Sequence, residues 1–340
     1  MVKKIFRKGL LFSLILVFIF GALSPIFIYK TQHRGKLIEG LYQSDDSYDV
    51  VFMGSSHMNG GLDPNVIWNQ QGITSFNYAT GGQPIDVTYY LLKDVLKTHK
   101  NPIVVLDVFY LGMTSEYGAS GFVSNALDNM RLSTNKINAI WNTVPLSDRI
   151  LHLLPTLNYH FRWSSLEAKD LSFDTKSVYY TKGFEAGINK YGKSNTSIES
   201  TGNRAVIPEK SLDYLNKIIE LSKTENFDLV FANMPCDYAE ADKEDDWVND
   251  CEAMMNTIND IAQKNDIPFL DLYDKQEEIG IDFANDMNNS GHLNLWGAKK
   301  VSTYLGTYLS QNFNLTDHRA DSTFAQWNED YKHSQVATIT

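Results

Sequence analysis

The chain predicts an α/β fold: a mostly parallel sheet of about five strands, interrupted by a helical insertion and preceded by one membrane-spanning helix. Three observations carry this expectation. Short apolar, β-branched runs alternate with amphipathic segments from Ser47 onward. That rhythm stops between about Leu111 and Ile207 and then resumes, and a charge-free run from Gly9 to Tyr29 precedes all of it. Of the 340 residues, 43% are hydrophobic and 21% charged, which excludes a disordered or collagen-like chain.

Taken in chain order, residues 1–8 are a basic N-terminus with Lys3, Lys4, Arg7 and Lys8. Residues 9–29 follow as an apolar helix about 31 Å long at about 1.5 Å per residue, enough to cross a bilayer. The flanking positive charge predicts a cytoplasmic N-terminus, an extracytoplasmic body and so a single-pass cell-membrane protein. Gly21, Ala22 and Ser24 are small enough for a signal-peptide cleavage site. However, Pro25 and the apolar stretch Ile26 to Tyr29 make the run too long for a typical signal sequence.

A juxtamembrane linker is expected over 30–46 and a folded domain over 47–311. Strands are expected at 49–53, 75–78, 103–108, 229–232 and 269–272. Helices are expected at 64–70, 84–98, 208–225, 247–264 and 296–311, where Pro64, Pro84 and Pro208 suit a first helical turn and Gly72 a terminator. The insertion, about 111–207, carries helical patterns near 121–130, 134–143 and 146–160 and then a polar, Tyr-rich stretch. Residues 312–340 are polar, with scattered Phe, Trp and Tyr, and predict a loosely ordered tail.

Charge is asymmetric. Six of the 30 basic side chains precede Gly35 and all 41 acids follow it, so the body carries a formal −17. Such a body repels phosphate backbones, which argues against nucleic-acid partners and mildly favours a neutral or zwitterionic polymer. Cys236 and Cys251 could pair in an oxidising compartment or remain as two apolar thiols. No CxxC or Cys/His zinc spacing occurs, and neither a metal nor a cofactor is expected.

Three segments could carry chemistry. Val50 to His57 is a buried strand ending in Gly54-Ser55-Ser56, which would leave a serine at the sheet's carboxyl edge. Either serine could be the nucleophile, and His57 is expected to be structural. Asn77 to Gln83 follows the second strand, and its adjacent Gly81 and Gly82 would let a backbone amide approach a reacting centre. Asp286 to Asn294 contains His292 and, lying before the last helix, would return to the same edge.

Together these segments resemble the SGNH/GDSL hydrolase superfamily over about residues 47–110 and 228–311. The resemblance implies a three-layer α/β/α, flavodoxin-like domain with Ser56 as nucleophile and His292 as base. It also implies an oxyanion hole made by the Ser56 backbone amide and Gly82. The superfamily's acid lies three residues before the histidine, where this chain has Asn289, so Asp286 is the expected carboxylate with Asn289 as the alternative. The asparagine that often follows the third strand is also missing; Asn77 and Tyr110 are possible accessory donors. In that absence the chain resembles the membrane-anchored branch that includes proteins of teichoic-acid D-alanylation and alginate O-acetylation.

The implied function is an extracytoplasmic serine esterase or O-acyltransferase on acyl, most simply acetyl, esters of cell-envelope glycan. A glycan or teichoic-acid-like substrate, a membrane acyl-transfer protein and the lipid around the N-terminal helix are the implied partners. The alternative is a non-catalytic scaffold or binding protein of envelope polymer assembly, which Asn289 favours and the intact Ser56 and His292 oppose.

Overall fold

A computed structural model describes residues 2–44, 47–172, 176–195, 201–243 and 245–337. Five parallel strands, β1 (Val50–Met53), β2 (Ser75–Asn77), β3 (Ile103–Asp107), β4 (Leu229–Asn233) and β5 (Phe269–Asp271), form one sheet in the order β2-β1-β3-β4-β5. The register sets Val51 opposite both Phe76 and Val104, Leu106 opposite Phe231, and Ala232 opposite Leu270. Each strand matches an expected apolar run to within a residue at most boundaries.

The runs are continuously apolar because both sheet faces are covered. Val51, Met53, Val104, Leu106 and Phe231 point into one core, with helices Ile85–Thr98, Glu209–Glu225 and Cys251–Lys264. Val50, Phe52, Val105, Val230 and Ala232 point into the other, with Met58, Ile67 and the helix Leu295–Asn312. Since β2 and β3 flank β1 on opposite sides, chain direction diverges there, and a crevice opens at the carboxyl ends of β1 and β3.

The expected helices appear, the one read from 247 starting at Cys251; Pro64 sits in its first turn, Pro84 and Pro208 stand just before theirs, and Gly72 closes Pro64–Gln71 at φ 68°. Within the insertion, Ser120–Leu127 and Thr134–Thr143 match, whereas the pattern at 146–160 is broken into Arg149–Leu153 and Pro155–Tyr159, with Pro155 starting the second piece. The insertion's return runs beside β2, where the Asn77 amide donates to the Lys182 carbonyl at 2.9 Å and covers an otherwise open sheet edge. Cys236 and Cys251 are both buried free thiols.

Two expectations are corrected. Within the expected linker, 30–46, the described residues 30–44 are packed: Gln32–Gly35 is helical, Lys36–Tyr42 forms a π-helix, and Lys36, Leu37 and Leu41 are buried in the domain. The C-terminal stretch is not loose either, since Ala325–Ala337 is a helix that buries Trp327. Its Asp330 meets Lys182 at 2.5 Å, with both side chains fully buried and the ammonium 4.3 Å from the Trp327 ring centre.

At the N-terminus, Val2–Phe27 is a single helix of 26 residues, long and apolar enough to cross a membrane. It ends two residues before the expected bound at 29 but begins seven residues before the expected start at 9, extending through the basic residues.

Candidate active site

The backbone that presents Ser56 is built by Gly54 and Asp107. Gly54 ends β1 at φ 137°, and a Cβ there would lie 2.4 Å from Asp107 Cβ, so only glycine fits. Asp107 closes β3 next door, and its Oδ2 accepts hydrogen bonds from both the amide (3.0 Å) and the hydroxyl of Ser55. Its other oxygen accepts from Phe109 N at 3.0 Å. The Ser55 hydroxyl in turn accepts from His57 N and caps the helix Ser56–Gly61. Ser55 is thus fully buried structure, while Ser56 opens the helix with its side chain in the crevice.

The Ser56 hydroxyl donates to His292 Nε2 at 2.8 Å, across 236 positions of sequence. On the far side of the ring, Nδ1 lies 2.9 Å from Asn289 Oδ1. The same Oδ1 accepts from the amides of Gly291 (2.9 Å) and His292 (3.0 Å), so it must be the carbonyl oxygen and not the NH₂ group. An oxygen facing Nδ1 requires the proton on Nδ1, which leaves the Nε2 lone pair toward Ser56. Burial lowers the His292 pKa from its ordinary value of 6.5, so the ring is a neutral base at neutral pH. The loop is held by Asn294, whose side chain caps Leu295–Asn312 through the amides of Trp296 and Gly297 and reaches back to the Asn285 carbonyl.

Asp286, the expected carboxylate, does not bond to the His292 ring, whose Nδ1 partner is Asn289. Its Oδ2 accepts from Lys300 Nζ at 2.6 Å and from the Asp282 amide at 2.7 Å, an anchoring role directed away from the imidazole. Asn77 is also structural: fully buried, it donates to the carbonyls of Met58 and Leu62 and accepts from the Ala79 amide. Gly82, at φ 60°, lines the same crevice as Ser56 and His292, and so does Tyr110, which stands edge-on to Trp247 at 4.9 Å.

The crevice encloses about 580 Å³. One wall is a stack in which His57 lies 4.2 Å from Phe109 and Phe109 lies 5.0 Å from Trp247. Burial, followed by proximity to His292, holds the His57 pKa well below 6.5, which keeps it uncharged. Asp237, Glu240 and Asp246 add an acidic side. Sequence reading missed Asp107, the aromatic wall and these acids. A signal existed for two of them: Asp107 ends β3 and Asp237 follows β4, both at the edge where Ser56 was placed. Among the described residues, no group of three or more His, Cys, Asp or Glu side chains is arranged to hold a metal ion.

No protein-family model matches the chain, and no curated protein matches it.

Proposed function

We propose that this chain is a membrane-anchored serine esterase or O-acyltransferase of SGNH type, acting on acyl, most simply acetyl, esters of cell-envelope glycan. The observation that carries the reading is the relay Asn289 Oδ1, His292, Ser56 Oγ, at 2.9 and 2.8 Å, opening into a crevice of substrate size. The strand order and the two covered sheet faces support the three-layer SGNH arrangement.

His292 Nε2 takes the Ser56 proton as Oγ adds to the ester carbonyl. The backbone amides of Ser56 and Gly82 receive the oxyanion. Collapse breaks the bond to the leaving alcohol, which takes the proton from His292. Water or a glycan hydroxyl, deprotonated by the same ring, then releases the acyl group from Ser56. Asn289 fixes the tautomer that this cycle needs but supplies no negative charge to the imidazolium, so each step relies more on geometry than a carboxylate triad would.

The basic residues before the apolar helix support an extracytoplasmic site held near the membrane, where envelope polymers and a membrane acyl-transfer protein would meet it. Acids lining the crevice and the body's −17 charge favour a neutral or zwitterionic glycan over a polyanion. Asn289 favours a second reading, a scaffold of polymer assembly that has lost its acid. Ser56→Ala separates them: an enzyme loses acyl-ester turnover and its cellular role together, whereas a scaffold keeps its role.

A further inference from the structure

The insertion exposes several large apolar side chains within residues 146–171. Trp163 is 73% exposed, Leu171 65% and Phe161 58%, with Leu146, Ile150 and Leu166 also open. Such a patch on a body otherwise rich in acids calls for a cover. Its position relative to the N-terminal helix identifies one. Thr156 Oγ1 donates to the Phe20 carbonyl at 2.6 Å and lies 2.9 Å from Ser24 Oγ, inside the last two turns of Val2–Phe27. At about 1.5 Å per residue, those contacts lie about 5 to 10 Å below the helix end. Arg162 donates to the Phe27 carbonyl and stacks 4.1 Å over the Tyr29 ring, so its neighbours Phe161 and Trp163 stand at the level where the helix leaves the membrane.

We infer that residues 146–171 form a second membrane contact, a short helical platform whose Phe161, Trp163 and Leu171 enter the boundary between lipid headgroups and acyl chains beside the spanning helix. The chemistry fits that depth. The backbone is largely wound into short helices, Arg149–Leu153, Pro155–Tyr159 and His160–Ser164. Four of its charges are paired, Arg162 with Asp170 at 2.6 Å and Lys169 with Glu167 at 2.9 Å, while Arg149 donates to the Val144 and Trp141 carbonyls and Asp148 accepts from the Ser147 hydroxyl. Tryptophan and tyrosine at this level are the side chains favoured at membrane interfaces. Two contacts, unlike one, fix the height and tilt of the crevice over the bilayer. The inference rests on reading Val2–Phe27 as a membrane span.

The test uses the full chain in vesicles of phosphatidylcholine and phosphatidylglycerol. Cysteines introduced singly as Phe161→Cys, Trp163→Cys and Leu171→Cys carry an environment-sensitive fluorophore. Leu14→Cys reports the span and Glu225→Cys the exposed body; Cys236 and Cys251 are buried, and the unsubstituted chain gives the background. The platform predicts blue-shifted emission at 161, 163 and 171 that loses most of its intensity to nitroxide-bearing lipids, as at Leu14, with no loss at Glu225. Quenching at Leu14 with water-like, unquenched emission at the three sites overturns the platform and leaves the span intact. Blue-shifted but unquenched emission, with cross-links between copies, assigns the patch to a second chain and also overturns it. Absence of quenching at Leu14 removes the span and the platform together.

Discussion

At the residue scale, the proposed reaction depends on a histidine whose proton is placed by an amide oxygen. Ser56→Ala and His292→Ala each remove a group that forms or breaks bonds, so ester turnover is expected to fall by at least about 10³-fold, read as kcat/KM on an activated ester. Asn289→Ala frees the ring to take the wrong tautomer and is expected to cost about 10²-fold with the fold retained. Because burial lowers the His292 pKa, the acid limb of kcat/KM should have its midpoint below the ordinary 6.5. Asn289→Asp places a negative charge beside Nδ1, stabilises the imidazolium and moves that acid limb upward; a pH profile of kcat/KM reads the shift. Ser56, Gly82 and His292 were legible in the sequence because all three sit where strands or loops must return to the carboxyl edge. Asn289 was read only as the alternative to Asp286, because spacing cannot show that Lys300, on the following helix, engages the Asp286 carboxylate while Asn289 Oδ1 faces the ring.

At the scale of elements, the segments on either side of the domain proved to be parts of it. The Lys36 side chain extends from the π-helix and donates to Asn59 Oδ1 and the Ala79 carbonyl, joining the segment after the apolar N-terminal helix to the helix that Ser56 opens and to the loop that carries Gly82. Burial holds its pKa down to about 7 against the pull of Glu185. Lys36→Ala strips two buried acceptors of their donor and is expected to cost about 1–3 kcal/mol in denaturant unfolding, with a parallel loss of kcat/KM. Asp330→Ala leaves the Lys182 ammonium buried without its carboxylate. The expected loss is about 3–5 kcal/mol, where a loose tail would show no change. The strands were legible because two covered faces force unbroken apolar runs. The C-terminal helix was not, since Trp327 is the one large, deeply buried apolar anchor among its described side chains and the buried ion pair to Lys182 is invisible in local pattern. Residues 30–46 misled for the same reason: a lysine reads as solvent-facing until its acceptors are known.

For the whole molecule, charge and apolar surface are sorted along one direction: bases before the apolar helix, then the helix itself, then the insertion's patch and an acidic body. This order predicts that, in right-side-out membrane vesicles, external protease removes the body and leaves a protected N-terminal fragment. The alternation of strands and helices made the sheet legible at this scale. The docking of the insertion on the apolar N-terminal helix was not, because it depends on single contacts such as Thr156 to Phe20 that carry no sequence signature.

The most direct measurement of the central claim is acetyl-ester cleavage by the full-length protein in detergent, compared with Ser56→Ala, Ser55→Ala and His292→Ala, each verified as folded by circular dichroism. The acyl-transfer account predicts measurable cleavage and a covalent acyl adduct on Ser56, both lost in Ser56→Ala and His292→Ala. In Ser55→Ala the chemistry survives with reduced stability, since that hydroxyl serves Asp107 and the helix cap. Wild-type protein that cleaves no activated ester faster than Ser56→Ala, and forms no adduct with native glycan donors, would contradict the account and leave the scaffold reading in its place.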